Sequence, residues 1–370
     1  MGHPLQVLDE EILDAGRKAR SAEGDKPARA AADPGVDVRA RGWGSRLQAF
    51  WRVRDVHLRG VDVVILVSCS LAALALVGPA RWAPGSTRAA AHFAFFALGP
   101  LVLRTLEASF PRNRLLSFVA SFWLLPVLGL SHEFLAPLVN AITPVLRDAQ
   151  LAAAEQQLLG VKASVALGHL VPPWLTEVLM LCYYGHFIWP VALGVVLYFT
   201  GRRDAFDEYL LALSLLFSFN YFSYALVPAV GPRYFLLDAF SEPLKGLWLT
   251  PLLDSAMRAP PFAKDCFPSG HTGTTLVVLA YAFRFERRVF RAMLLPGIGL
   301  IVATLVGRFH YTTDLLCALP LVLVVLGLAR CWSRAAARFE TVTRPVSDST
   351  YAPEPWGAPL PSPTSTGPRR

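Results

Sequence analysis

Long apolar runs alternate along the chain with shorter basic or proline-rich stretches. Eight such runs stand out, at about 61–79, 89–106, 114–131, 173–199, 209–228, 270–285, 292–309 and 313–332. Runs of roughly 18 to 25 apolar residues have the length that a bilayer's hydrocarbon core requires of a helix. Within them apolar residues are continuous instead of alternating with polar ones, which predicts helices and excludes barrel strands. The pattern therefore predicts an all-α integral membrane protein with about eight transmembrane helices.

Outside the runs the character changes. Residues 1–60 carry a short segment with Leu5, Leu8 and Ile12 at helical spacing, then a Gly-, Ala-, Pro- and Arg-rich stretch; this reads as a partly disordered N-terminal segment. Residues 333–370 have the Pro and Ser richness of a disordered tail. Two loops are long. Residues 132–172 include LRDAQLAAAEQQLLGVKAS, which predicts a short helix of mixed polarity at or above the interface, and residues 229–269 begin GPRYFLLDAF and end KDCFPSG. A polar loop of that length returning to a membrane boundary favours function.

Composition agrees with the pattern: 54% of the 370 residues are hydrophobic and only 17% charged, with a mean hydropathy of +0.43. A formal charge of +8 would suggest nucleic acid in a soluble protein, but here the basic residues flank the apolar runs, so no nucleic-acid partner is expected. Arg39, Arg41, Arg46, Arg52, Arg54 and Arg59 precede the first run, and every second boundary after it is Arg-rich, ending with Arg330, Arg334 and Arg338. By the positive-inside rule both termini are cytoplasmic. The start, MGHPLQVLDEEILDAG, lacks the basic-then-apolar pattern of a secretory signal, so the first run directs insertion. Cys69, Cys182, Cys266, Cys317 and Cys331 show no metal spacing; all but Cys266 fall inside or at the ends of the runs and read as small apolar residues, and Cys266 takes no role.

Candidate chemistry sits in three stretches, VGPRYF at 230–235, PSGHTG at 268–273 and GRFHYTTDLL at 307–316. Each lies where an outward loop meets a helix end, so topology brings them to one membrane face, the extracytoplasmic one. His310 and Asp314 are four apart, which on a helix lets the carboxylate accept the imidazole N–H and leaves the other nitrogen as a directed nucleophile or base. Pro268 suits a helix start, Ser269 an N-cap and Gly270 a close backbone approach. Such a start binds anions, phosphate above all, and His271 beside it could protonate a leaving oxygen. Arg233, presented by a Gly231–Pro232 bend, offers a planar fork for phosphate oxygens, with Arg308 as a second cation.

PSGH followed by HxxxD resembles the type 2 phosphatidic acid phosphatase superfamily. GPRYF, with the histidine-tyrosine pair at 310–311, looks most like its inositol phosphorylceramide synthase branch, and sphingomyelin synthases are similar in the third motif. The resemblance covers residues 110–332, six of the eight runs, as a catalytic helical bundle, and leaves 61–109 as two extra transmembrane helices. It implies that His310 is a nucleophile forming phosphohistidine, Asp314 its orienting carboxylate and His271 the general acid. It further implies that Ser269, Gly270 and Arg233 hold phosphate, that neither metal nor organic cofactor is needed, and that the protein sits in a bacterial inner (plasma) membrane.

Two positions depart from the superfamily pattern. The stretch FNYFSYALVPAVGPR lacks the lysine expected before the first-motif arginine, and Thr304 stands where an arginine is expected six positions before His310. If the helix continues that far, Thr304 and Arg308 share a face and Arg308 reaches the same phosphate. The missing lysine and GPRYF favour transfer of a phosphoinositol-type headgroup from a phospholipid donor to an alcohol over hydrolysis by water. Tyr183, Tyr184, His186, Asn220, Tyr221 and Tyr224 are then candidates for holding the acceptor. Hydrolysis of lipid phosphates is the alternative, and a non-catalytic scaffold or transporter the second.

Overall fold

The computed structural model describes residues 52–53, 56–256 and 264–343, so the amphipathic segment at Leu5–Ile12 and the tail beyond 343 lie outside the described residues. A two-residue antiparallel pairing, Arg52–Val53 with Val56–His57, leads into the first helix. Everything after it among the described residues is helix or loop, as expected of an all-α membrane protein.

The first two apolar runs form α1 (Gly60–Val77) and α2 (Ser86–Ser109). These pack on each other, and the buried Arg104 of α2 holds Asp62 of α1 through Nε at 2.7 Å and a second guanidinium nitrogen at 3.1 Å. The third run is broken into α3 (Arg114–Ser121) and α4 (Leu124–Ser131), whose continuation to Phe134 bends 41° from α3. Pro126, in the first turn of α4, has no N–H to give the carbonyl of Phe122, which is where the run stops being one helix.

The loop that follows folds into α5 (Ala136–Ile142), α6 (Asp148–Leu159) and α7 (Ala163–Leu170). The expected short helix is therefore present as α6; it exposes most of its residues but turns one face inward, with Asp148 and Glu155 both 0% exposed. Next come α8 (Pro173–Phe199) and α9 (Arg203–Leu226). α9 is the centre of the bundle, packing on α1, α8 and two later helices, and over half of its apolar window is buried where the other candidate spans reach at most 39%.

After α9 the chain makes α10 (Pro232–Phe235) and α11 (Leu249–Ala256), then α12 (Gly270–Phe285), α13 (Arg287–Val306) and α14 (Thr312–Thr343). Glu177 of α8 anchors α11. Its carboxylate accepts the N–H groups of Leu247, Trp248, Leu249 and Thr250 at 2.5–3.2 Å and the Thr250 hydroxyl at 2.7 Å, an anion at a helix start.

Among the described residues six helices are long and apolar enough to cross a membrane, or seven if the bent α3–α4 pair is one span. The protein is integral to a membrane, but the expected count of eight is not reached. With the bent pair counted as one span, α12 is the remaining run: its 16 residues rise about 24 Å at about 1.5 Å each, short of the roughly 30 Å hydrocarbon core. A second difference is at the C-terminus, where α14 runs on to Thr343 instead of giving way to irregular chain at 333. The alanines and arginines of 334–338 are strong helix formers.

Candidate active site

The three motif stretches meet. The Arg233 N–H donates to the Arg308 carbonyl at 2.7 Å, the Ser269 N–H to the Asp314 carbonyl at 3.1 Å, and Cys266 N–H to the Ala229 carbonyl at 3.2 Å. These backbone bonds tie the VGPRYF bend, the PSGH turn and the FHYTTD turn into one unit.

Its centre is a line of side chains. His310 Nδ1 lies 3.4 Å from Asp314 Oδ2, and His310 Nε2 lies 3.4 Å from His271 Nδ1. Asp314 is 0% and His310 4% exposed. The pairing is the expected one, reached by a different route. α14 starts only at Thr312, so His310 sits in the turn before it, and Asp314 in the first helical turn reaches back. The same Oδ2 accepts the Tyr311 N–H at 2.8 Å, as a carboxylate near a helix start does. A buried carboxylate on Nδ1 fixes the imidazole and leaves Nε2 as the reactive nitrogen, facing His271.

Cys266, to which the sequence assigns no role, completes this cluster. Its thiol donates to Asp314 Oδ2 at 2.9 Å and lies 3.6 Å from His310 Nδ1. Burial, then the neighbouring Asp314 charge, pushes that thiol well above its ordinary range, so it is a neutral donor. Cys266, His310 and Asp314 are the donor group compact enough for a metal ion among the described residues, yet each spends its facing atom on the other two.

At the PSGH turn Ser269 is the N-cap of α12, its oxygen accepting the Thr272 N–H at 3.2 Å, which leaves the hydroxyl proton and the first helical N–H groups for an anion. Gly270 has no room for a side chain: a Cβ would lie 2.9 Å from the Tyr224 hydroxyl and 3.1 Å from Asn220 Nδ2. Asn220 is 1% exposed and neither amide atom has a hydrogen-bond partner among the described residues. Such a group normally requires a partner. His271 itself is flanked by two rings of α8, Tyr183 stacked at 4.7 Å between centroids and His186 at 4.2 Å. Tyr183, and not Tyr184, is the tyrosine stacked on His271.

The arginines are engaged within the protein. Arg233 bonds Asp254 of α11 at 2.5 Å and lies 5.6 Å from the Phe309 ring centroid. Arg308 was expected on the same helical face as Thr304, but α13 ends at Val306. Beyond Gly307 the chain turns left-handed at Arg308, φ 64°, and its guanidinium stacks on Phe240 at 4.0 Å and donates to the Glu242 carbonyl at 3.0 Å. Thr304 turns its hydroxyl onto its own helix, 2.7 Å from the Ile301 carbonyl. Gly231 forms the expected bend with φ 86°, where a Cβ would lie 2.4 Å from the Phe309 oxygen.

Two carboxylates brace the whole unit from α6, and both stand in the loop helix taken for an interfacial one. Asp148 accepts the N–H of Val230 at 3.0 Å, the N–H of Gly231 at 2.8 Å and the Tyr311 hydroxyl at 3.0 Å. Burial raises its pKa, a push these hydrogen bonds only partly offset. Glu155 accepts the Thr312 N–H at 2.6 Å. One carboxylate thus holds the first motif to the third, and the other holds the turn that carries His310. Asp265, just before Cys266, bonds His132 at 2.6 Å.

A buried carboxylate–histidine–histidine line thus stands opposite a capped helix start, a place that suits an anion. Residues 149–328 match the PAP2 superfamily. The matched segment begins within α6 and takes in all three motifs. A PA-phosphatase related-family protein of Dictyostelium discoideum is 24% identical over 176 residues, covering 41% of this chain and 31% of its own length. The chain thus spans about a third of that relative, and no solved structure matches it.

Proposed function

We propose that the chain is a membrane-embedded lipid phosphotransferase that moves a phosphoinositol-type headgroup through phosphohistidine. The observation carrying this reading is the line Asp314–His310–His271, with 3.4 Å at each step. In the first step the lone pair of His310 Nε2 attacks phosphorus while Asp314 accepts the Nδ1–H. The bond from phosphorus to the donor's oxygen breaks, and that oxygen takes its proton from His271. In the second step an acceptor hydroxyl gives its proton back to His271, bonds to phosphorus and releases His310.

The phosphate oxygens lie at the start of α12 against the Ser269 hydroxyl and the Gly270 N–H. Arg233 and Arg308 turn to them from Asp254 and the Glu242 carbonyl, so that arginines and a helix end stabilise the transferring charge. Asn220 and Tyr224, converging on Gly270, contact the acceptor, and Tyr184 lines its approach. GPRYF and the absent lysine support transfer; hydrolysis is the second reading, favoured by the name of the Dictyostelium relative. The arginine distribution supports cytoplasmic termini and a site on the extracytoplasmic face.

The test uses purified protein in liposomes containing phosphatidylinositol labelled in its headgroup phosphate, with and without added diacylglycerol or ceramide. An acid-labile phosphoenzyme absent from His310→Ala, and label appearing in a new lipid, support transfer. Label released only to water supports hydrolysis. Neither phosphoenzyme nor product, with lipid phosphomonoesters also inert, overturns both.

A further inference from the structure

We propose that the groove between α1, α4, α5 and α9 holds one acyl chain of a glycerophospholipid that is not turned over, with the ester carbonyl of that chain on Ser131. The site stands apart from the histidine line and does not depend on how that line reacts.

The groove has a volume of about 600 Å³, within the range of cavities that take a single small ligand. It runs along α1 from Val63 to Ala75 and along α9 from Ser214 to Ala225, about 17 Å at about 1.5 Å per residue. A Cβ on Gly60 would lie 3.0 Å from Leu211 Cδ2, so the two stretches begin level. One leaflet's share of the roughly 30 Å hydrocarbon core is about 15 Å, which makes the groove one acyl chain long. Its walls include Val67, Leu71 and Phe222, which are 44–63% exposed. On helices that cross a membrane this exposure is to lipid, so the groove opens sideways into the bilayer and a chain enters it without meeting water.

The polar lining says more about the occupant. Ser68, Ser214 and Ser218 line the groove and donate to carbonyls of their own helices at 2.6, 2.8 and 2.8 Å. Ser131 also lines it, is 1% exposed, and has a hydroxyl with no hydrogen-bond partner among the described residues. A buried hydroxyl calls for an acceptor, and hydrocarbon has none. Ser131 closes α4 one turn beyond Leu128, whose carbonyl accepts the Tyr221 hydroxyl at 3.0 Å, which puts it towards the Ala225 end of the groove. The first acceptor met along a phospholipid from the tip of its chain is the ester carbonyl, and the phosphate follows. Arg88 supplies the matching charge: its guanidinium lies 5.4 Å from the ring centroid of Phe134, three residues past Ser131. α9 separates this lipid from the chemistry. It turns Ser218, Tyr221 and Phe222 to the groove and Asn220 and Tyr224 to Gly270, and no residue of the three motif stretches lines the groove. The chain therefore wedges α1 and the α4–α5 turn against α9.

The test is native mass spectrometry of the full chain, stripped of lipid in detergent and titrated with headgroup-labelled dioleoyl phosphatidylglycerol or with its diether analogue, which lacks the ester carbonyls. The parent is compared with Ser131→Ala and with Ala72→Trp, which fills the groove from α1. The expected result is one diester lipid retained per parent chain with its label intact, about fivefold weaker retention in Ser131→Ala for the loss of one hydrogen bond, and none in Ala72→Trp. The diether should bind the parent and Ser131→Ala alike, and this comparison carries the test if Ala72→Trp does not fold. A parent that retains no lipid, or that forms dimers in its place, overturns the proposal. So does equal retention of the diester by parent and Ser131→Ala, or an equal loss for the diether. A retained lipid that gives up its headgroup label on incubation is a substrate, which also overturns it.

Discussion

His310 Nε2 faces His271 Nδ1 at 3.4 Å, which sets two histidines of unlike surroundings against each other. His310 has its other nitrogen on a buried carboxylate; His271 has no carboxylate partner among the described residues and lies between two rings. The first is built to attack, the second to carry a proton. His271→Gln should then slow phosphoenzyme formation by about 10²–10⁴ when the leaving group is an alkoxide, the range of general-acid catalysis. With a p-nitrophenyl ester, which leaves unprotonated, the loss should shrink to within about tenfold of the parent. Equal losses on both donors, measured by rapid-quench labelling, would remove the acid role.

Asp148 and Tyr311 share a hydrogen bond of 3.0 Å between two loops 163 residues apart in sequence. Asp148→Ala leaves two N–H groups and a hydroxyl without their acceptor, at about 1–3 kcal/mol for each that stays buried. Tyr311→Phe removes only one of the three. The two changes should couple by about 0.5–3 kcal/mol in a double-mutant cycle on unfolding in mild detergent; strict additivity would mean the bond contributes nothing.

Gly231 has φ 86°, and a Cβ would lie 2.4 Å from the Phe309 oxygen. Gly231→Ala therefore meets both backbone strain, about 1–3 kcal/mol, and a carbonyl that cannot move without moving His310. Thermal unfolding should shift down and turnover should fall together. An alanine variant with parental stability and rate would contradict the assigned bend.

Asp265 offers a pH test. Burial raises its pKa, but the hydrogen bond and charge of His132 outweigh this and hold it below the ordinary 3.8. A depressed carboxylate contributes stability that is complete above pH 3.8 and is lost as pH falls through its lower folded value. His132→Gln removes the cause, so the contribution should vanish and acid unfolding, followed by near-ultraviolet circular dichroism, should begin at higher pH than in the parent. An unchanged acid midpoint would show that the pair is not coupled to folding.

Cys266 should resist maleimide at pH 8 in the folded protein, since its thiol is 4% exposed and pushed well above its ordinary range, and the thiolate is the reactive form. Labelling should appear only after unfolding in SDS, as read by peptide mass spectrometry. Rapid labelling of the native protein would place Cys266 at the surface.

The spans and the three motif stretches were legible because their signals are local. Apolar runs long enough for a bilayer leave few alternatives, and PSGH and HxxxD each lie within five residues. What failed to show depended on where helices end. The run at 114–131 holds a single proline, Pro126, and only the structure reveals the 41° bend beside it. The Thr304–Arg308 alignment presumed a helix that stops at Val306, and past Gly307 a left-handed Arg308 sends its guanidinium to Phe240. Asp148 and Glu155 were hidden for another reason. Acidic residues in a polar loop helix normally face water, and nothing local records that the loops carrying Gly231 and Thr312 close over them.

The Asp148 carboxylate also limits how this site can be re-engineered. A loop carrying GPRYF, moved into another scaffold by itself, would arrive with two N–H donors pointing at a missing acceptor; a grafted FHYTTD turn would bring a tyrosine hydroxyl in the same condition. The smallest portable piece is therefore a set of three segments distant in sequence, and the modest helix at 148–159 has to travel with the two loops that carry the chemistry.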